Sequence, residues 1–169
     1  DSGLPIQYLC QDMTELNMFG TIDVTVCALD SINHLGSLED IKKTFAKVSL
    51  FCEPNGLFLF DINTPYKHRN VLGNNTFVYD IEEVYCVWQN YYEEENNRVT
   101  MSLDFFEPDE NGKYSRYSDE FSEIAFDSNV IEQALEEVGF KIVGKYDYDS
   151  YDAPNESSEK VVYAAQKIK

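Results

Sequence analysis

The chain has 169 residues, of which 43% are hydrophobic and 14% aromatic, so it is long enough to bury the core of one domain. It carries 31 Asp and Glu residues against 13 Lys and Arg residues, a formal net charge of -18. Such an acidic surface repels phosphate backbones and anionic lipids, which argues against nucleic acid or a membrane as a partner. We expect most of this acidity to serve solubility.

The four cysteines, Cys10, Cys27, Cys52 and Cys86, are scattered and form no Cys-x-x-Cys pair. This spacing is typical of reduced cysteines in a cytosolic protein, so neither disulfides nor a metal site is expected. No apolar run approaches the length of a transmembrane helix, and no signal peptide opens the chain. The expectation is therefore a soluble, cytoplasmic protein.

The first five residues resemble the end of a helix, with Gly3 followed two residues later by a proline. No helix precedes them, so we expect the chain to begin partway through a larger protein. A short strand is then predicted over residues 6–10, ending in a polar Gln-Asp-Met sequence.

Two apolar segments, residues 22–28 and 57–62, are predicted to be central strands. Neither alternates strictly, which is typical of strands covered on both faces by helices. A helix capped by Ser37 is predicted between them, ending by the Glu-Pro-Asn-Gly turn signal. Strand, helix and strand in this order form a right-handed parallel crossover. Ligands of such sheets bind outside the carboxyl ends of the strands, so we expect function near Asp30 and Asp61.

The sequence period changes at residue 74, after a short helix predicted over residues 67–73. Hydrophobic and polar residues then alternate, which predicts an antiparallel meander with one packed face over residues 76–126. Its best hairpin signal is the Asn-Gly pair that ends at Gly112. A helix beginning at residue 127 or 128 and strands over 140–148 and 160–168 complete the prediction.

The order of three motifs resembles that of the class I S-adenosylmethionine-dependent methyltransferases. The motifs are QDM at residues 11–13, IDV at residues 22–24 followed by LDSINHL at residues 29–35, and PNGLFLFD at residues 54–61. Within that family, the chain is most similar to small bacterial methyltransferases that insert an antiparallel sheet after their fifth strand. The order and spacing of the motifs together are fairly specific.

This resemblance implies an α/β fold, a Rossmann-like sheet with seven strands in the order 3-2-1-4-5-7-6. Strands 3 to 7 would be residues 6–10, 22–28, 57–62, 140–148 and 160–168, and strands 1 and 2 would be absent. The implied organisation is a partial Rossmann-like core over 1–73, an inserted antiparallel sheet over 74–126, and a helix and strand pair over 127–169 that complete the core.

The chain departs from the family in its glycines. The family's G-x-G-x-G loop after strand 1 holds the methionine part of the cofactor, but no two glycines of this chain are spaced as G-x-G. The acid that ends strand 2 and holds the ribose hydroxyls is absent with its strand. We therefore expect the chain to lack half of the S-adenosylmethionine site and to be weak or inactive as an enzyme.

The resemblance implies that Asp12 accepts a hydrogen bond from the adenine amino group and that Met13 supplies the adjacent backbone amide. The alternative is that Asp12 is a solvated acid that caps its own turn at Thr14 or Glu15.

The loop after strand 4 supplies Leu29, Asp30 and Ser31, which would lie under the methyl donor. Asp30 would attract the sulfonium or orient an amine or hydroxyl acceptor, or else simply cap a turn. The resemblance places His34 beside the cofactor, but a lone histidine near a helix start is more often a surface or packing residue. No catalytic role is expected for it.

Tyr66 and Trp88 are candidates for an acceptor pocket beneath the inserted sheet, although aromatic residues of a meander more often form its core. With only His34 and His68 and no Ser-His-Asp order, the chain fits hydrolase or zinc chemistry poorly. Methyl transfer requires little acid-base chemistry, because the sulfonium is already activated and the protein mainly aligns the reactants. No catalytic residue is assigned.

The leading hypothesis is methyl transfer from S-adenosylmethionine to a small-molecule acceptor in the intact protein. The alternative is a non-catalytic acidic α/β module that binds a partner through exposed strand edges. Without strands 1 and 2, one edge of residues 22–28 would be bare, which predicts self-association or a rearranged first strand.

Overall fold

The computed structural model of the chain describes Gly3 and residues 6–81 and 83–168, which form two four-stranded sheets and two α-helices. The helix end expected over residues 1–5 lies outside the described residues, apart from Gly3. The strands are β1 (Ile22–Cys27), β2 (Cys52–Asn63), β3 (Thr76–Ile81), β4 (Val84–Glu93), β5 (Arg98–Pro108), β6 (Tyr114–Ile124), β7 (Phe140–Asp147) and β8 (Lys160–Lys167). The helices are α1 (Leu38–Phe51) and α2 (Ser128–Glu137).

The first sheet has the strand order β1-β2-β8-β7. β1 and β2 are parallel, with Val26 opposite Leu59, and α1 connects them, which confirms the predicted crossover. β8 runs antiparallel to both β2 and β7. This order corresponds to 4-5-7-6 in the implied fold.

The strand predicted over residues 6–10 is wrong. These residues have no regular secondary structure, and their side chains are exposed. In the implied order strand 3 pairs with strand 2, and the described residues provide no such partner, so the segment lacks the neighbour that a strand requires. The chain first reaches the core at Met13 and Leu16, which pack against the apolar cluster beneath α1.

α1 begins where the Ser37 hydroxyl accepts a hydrogen bond from the backbone N–H of Asp40, as its N-cap position predicts. Its inward face carries Ile41, Phe45 and Val48, and the Phe45 ring lies 5.7 Å from that of Phe58 on β2. α2 contributes further side chains to the same core. Both helices therefore cover one face of the first sheet.

Among the residues described, no helix covers the other face of the first sheet, which differs from the expected cover on both faces. Val24 is 49% exposed and Val26 66% exposed, and Val24 lies opposite Leu57 of β2. Residues 53–56, expected to form a turn, instead belong to the irregular start of β2, where Asn55 has a φ of 67°. No helix among the residues described is long and apolar enough to cross a membrane.

The second sheet is the predicted antiparallel meander, with strand order β3-β4-β5-β6. The hairpin between β5 and β6 closes through a hydrogen bond of 2.7 Å from the N–H of Asp109 to the carbonyl of Lys113, and Gly112 has a φ of 75°. One π-helical turn, Lys67–Leu72, leads into this sheet from the first. The sheet packs on its own smaller apolar cluster, centred on Leu72, Val99 and Met101.

Candidate functional site

The carboxyl ends of β1 and β2 meet at one edge of the first sheet, as predicted. After β1 the backbone passes through two left-handed residues, Leu29 with a φ of 60° and Asp30 with a φ of 50°. This conformation is uncommon outside glycine and costs on the order of 1–3 kcal/mol per residue, so the surrounding structure must hold it. The backbone N–H of Asp30 donates a hydrogen bond of 3.0 Å to Asp61 Oδ2, which fixes the turn to β2.

Lys160, at the start of β8, balances part of the acidic charge at this edge. Its Nζ lies 2.9 Å from Asp61 Oδ2 and 3.6 Å from Asp30 Oδ2. Burial lowers the pKa of Lys160, but the hydrogen bond to Asp61 and the charges of both carboxylates outweigh it, so the pKa lies above its ordinary value. Lys160 is therefore cationic at neutral pH.

Two buried asparagines join the first sheet to the second. Asn33 Nδ2 donates to the carbonyl of Asn63 at 3.0 Å and to the carbonyl of Ile124 at 3.1 Å, while its Oδ1 accepts from the N–H of Asn63 at 2.9 Å. Asn63 Nδ2 in turn donates to Asp30 Oδ2 and, at 2.9 Å, to Glu123 Oε2. These amides hold the end of β6 against the turn after β1.

Glu123 of β6 is 4% exposed and lies between the two histidines of the chain. His34 Nε2 lies 3.5 Å from Glu123 Oε1, and His68 Nε2 lies 3.4 Å from Glu123 Oε2. Burial raises the pKa of Glu123, but the His68 ring, the Asn63 amide and the charges of the histidines when protonated lower it by more. The pKa of Glu123 therefore lies below its ordinary value, and the carboxyl is ionised at neutral pH.

Asp12 makes its hydrogen bonds within its own turn. Its Oδ1 accepts from the N–H of Thr14 at 2.7 Å and from the Thr14 hydroxyl at 2.6 Å, and these bonds lower the pKa of Asp12. The alternative capping role is thus present in the structure, while the adenine role stays a prediction. Met13 is half-buried against the core, and the Ser31 hydroxyl donates to the carbonyl of Ala28 at 2.7 Å.

The two predicted acceptor-pocket residues lie in different places. Tyr66 lines a cavity of about 330 Å³ together with residues of α2, β7, β8 and the loop between β7 and β8, among them Lys145, Asn155 and Ser158. Trp88 belongs to the apolar cluster of the second sheet, with its ring 5.6 Å from that of Phe77.

The sequence reasoning missed most of the polar residues that surround Asp30. Asn33 lies in the LDSINHL motif but was assigned no role, and Asn63 follows Asp61 at the end of β2. Both positions could therefore have been identified from the sequence around them. Nothing in the sequence around Glu123 or Lys160 pointed to this site, because the two residues reach it only through the packing of β6 and β8. Among the residues described, this edge combines the carboxylates of Asp30, Asp61 and Glu123 with two lysines, Lys160 and Lys67, and the remaining negative charge suits a cationic ligand.

No family model matches the chain. It is 31% identical over 171 aligned positions to YqeM of Bacillus subtilis (strain 168), a protein named for an inferred methyltransferase activity, across 99% of this chain and 68% of that protein. A Geobacillus sp. (strain WCH70) protein named in the same way is 29% identical over 162 positions, across 96% of this chain and 66% of that protein. The chain thus spans about two thirds of the length of these relatives.

Solved structures show the same likeness. A S-adenosylmethionine-dependent methyltransferase from Clostridium acetobutylicum has a TM-score of 0.86 at 36% identity, and the match covers 94% of this chain and 63% of that one. CalS10 of Micromonospora echinaspora, an amino pentose methyltransferase solved with S-adenosylmethionine bound, has a TM-score of 0.71 at 16% identity, over 93% and 63% of the two chains. At that identity the likeness to CalS10 shows the fold alone.

Proposed function

We propose that this chain, which belongs to the class I S-adenosylmethionine-dependent methyltransferases, forms one side of a site in which S-adenosylmethionine donates a methyl group to a small-molecule acceptor. The observation that carries the proposal is the pairing of Asp30 with Asp61 at the carboxyl ends of two parallel strands. In open α/β sheets this edge is where ligands bind.

The residues at this edge fit a sulfonium cofactor. Asp30 and Asp61 carry two negative charges against the single charge of Lys160, so the edge favours a cation. Leu29, which is 79% exposed, offers an apolar surface beside them. When bound, the cofactor supplies a methyl group already activated for transfer, so the chain needs no strong nucleophile.

The chain's own residues would therefore bind and align the reactants. Asp30 stabilises positive charge at the reacting centre, and its left-handed backbone is held by Asp61, so the carboxylate needs no reorganisation. Leu29 and Ser31 form the surface under the methyl donor. We assign Asp12 and Met13 to the adenine end of the cofactor.

The acceptor is proposed to be a small molecule that enters beside β2. The cavity lined by Tyr66 has a volume of about 330 Å³, at the lower end of the range of small-molecule sites. Its lining mixes the Tyr66 ring with the charged Lys145 and the polar Asn155, so the cavity can bind both an apolar body and a polar substituent.

The test is isothermal titration of S-adenosylmethionine into two proteins, the 169-residue chain and a longer polypeptide that also contains the third of the relatives' length that this chain does not span. We expect clear binding by the longer polypeptide and little by the chain alone. In the longer polypeptide, Asp30→Asn should weaken binding by at least tenfold, whereas Asp119→Asn, an exposed acid on β6, should not. If the longer polypeptide does not bind the cofactor, the methyltransferase proposal fails and the partner-binding module becomes the better explanation.

A further inference from the structure

Three ligand-type side chains converge beside the two left-handed residues. One ligand atom each from Asp30, His34 and Glu123 lies within 4.8 Å of the other two, and we call these residues the Asp30–His34–Glu123 cluster. Asp30 and His34 flank the short turn after β1, while Glu123 comes from β6. Carboxylate oxygen and imidazole nitrogen together are a common donor set for divalent transition metals.

A second observation comes from His68, whose ring is fully buried. Its Nδ1 lies 2.8 Å from the carbonyl oxygen of Asn97, and since a carbonyl only accepts, Nδ1 carries the hydrogen. Nε2 faces Glu123 Oε2, 3.4 Å away, and it forms no hydrogen bond with the residues described. A buried nitrogen without a hydrogen-bond partner thus lies against Glu123, on the side of the carboxylate that faces away from His34.

The distances favour a metal ion over a direct hydrogen bond. Charge-assisted N–H···O bonds are about 2.7–2.9 Å long, and both histidine contacts to Glu123 exceed that, at 3.4 and 3.5 Å. Nitrogen and oxygen ligands that share one tetrahedral ion at about 2.0–2.2 Å are roughly 3.3–3.5 Å apart. The contact of 3.5 Å from His34 Nε2 to Glu123 Oε1 matches that separation.

Hydrogen bonds orient the carboxylates of Asp30 and Glu123, as they commonly do for carboxylates that bind a metal ion. Asn63 Nδ2 donates to Asp30 Oδ2 and Glu123 Oε2, so the Glu123 Oε1 atom is the one that faces His34. Lys160 sits closer to Asp61 than to Asp30, at 2.9 against 3.6 Å. The charges of Asp30 and Glu123 therefore match that of a divalent ion, and the 41% exposed side chain of His34 gives access from solvent.

We propose that the Asp30–His34–Glu123 cluster binds a divalent transition metal ion of the zinc type. The imidazole ligand favours zinc over magnesium. The three positions are far apart in sequence and meet only when β6 packs on the turn after β1, so the expectation of no metal site from sequence spacing did not apply to them. The ion would use the Asp30 carboxylate that the proposed function assigns to the sulfonium, so its binding is measured without the cofactor.

The test is titration of Zn²⁺ into the chelator-treated 169-residue chain without S-adenosylmethionine, with bound metal counted by mass spectrometry. We expect one ion per chain, no comparable binding of Mg²⁺, and an affinity lower by at least about 100-fold in His34→Ala and in Glu123→Gln. Glu120→Gln removes an exposed carboxylate from the same strand and should bind as the unmodified chain does.

His34→Ala decides the question if circular dichroism shows that Glu123→Gln does not fold, since the His34 side chain is partly exposed. The proposal is overturned if the unmodified chain shows no saturable Zn²⁺ binding, or if His34→Ala and Glu120→Gln bind equally well. Because no cofactor is present, neither result bears on the proposed methyl transfer.

Discussion

The N–H of Asp30 donates to the carboxylate of Asp61 across the parallel strands β1 and β2, at 3.0 Å. This bond connects a strained turn to a strand of the core, because the neighbouring Phe60 of β2 is buried in the main apolar cluster. The bond thereby holds the left-handed backbone at Asp30. A preorganised carboxylate is what electrostatic stabilisation of a cation requires.

Asp61→Ala should destabilise the chain strongly. The change removes the acceptor for Asp30 N–H and leaves Lys160, whose side chain is 15% exposed, with only the longer contact to Asp30. Removing one partner of a buried ion pair costs about 3 kcal/mol, so the free energy of unfolding measured in urea should fall by about that amount. Glu39→Ala breaks the exposed pair with Lys43 and should leave the urea midpoint unchanged. Equal effects of the two changes would contradict this prediction.

Asn33→Ala should loosen the contact between the two sheets. It removes three hydrogen bonds and leaves the buried carbonyls of Asn63 and Ile124 short of a donor, at an expected cost of about 3 kcal/mol in unfolding free energy. Asn33→Asp should be no better, since a carboxylate cannot donate to two carbonyls. Asn70→Ala removes one exposed bond to the carbonyl of Tyr66 and is the control, with little expected effect. A urea midpoint for Asn33→Ala close to that of Asn70→Ala would argue against the role given to Asn33.

Cys27 should react slowly with alkylating reagents. Burial, followed by the nearby charge of Asp61, raises the pKa of the Cys27 thiol to about 11, and only the thiolate is a nucleophile. At pH 8 roughly one molecule in a thousand carries that thiolate, so iodoacetamide should label the exposed Cys10 first and Cys27 only as the pH approaches 11. Asp61→Asn should speed the labelling of Cys27 by lowering its pKa. Peptide mass spectrometry gives both rates, and equal rates at pH 8 would refute the assignment.

The chain should self-associate through the outer side of β1. In the part of the chain that the structure describes, β1 pairs only with β2, and such an edge can pair with another copy. The net charge of -18 opposes association, so the weight-average mass in sedimentation should rise with added salt as repulsion is screened. Val26→Lys should reduce association, whereas Leu50→Lys, at a similarly exposed position on α1, should not. A mass that stays monomeric at every salt concentration would rule this out.

The elements that follow from local pattern were predictable from the sequence. The apolar segments of β1 and β2, the Ser37 cap and the Gly112 hairpin each depend on neighbouring residues alone. Residues 6–10 have an apolar pattern too, but a strand also needs a partner, and its partner cannot be read from the segment itself. The prediction failed at that step.

The site was predictable only where it follows from strand order. Asp30 and Asp61 end neighbouring parallel strands, so their proximity could be inferred. Glu123 lies 60 residues from Asn63, its hydrogen-bond partner, and the contact depends on how the second sheet docks on the first. The location of Trp88 could not be predicted either, because the alternation along β4 does not determine which face of that strand packs in the core.

The hydrogen bonds of the Asn33 amide bear on which parts of this protein can change in sequence during evolution. The two apolar clusters have no described residue in common, and the sheets are held together here by directional polar bonds. These polar bonds fix the orientation of the two sheets, but substitutions in one apolar cluster need not be matched by substitutions in the other. The far end of the meander could therefore change in sequence while the edge that carries Asp30 and Asp61 keeps its geometry.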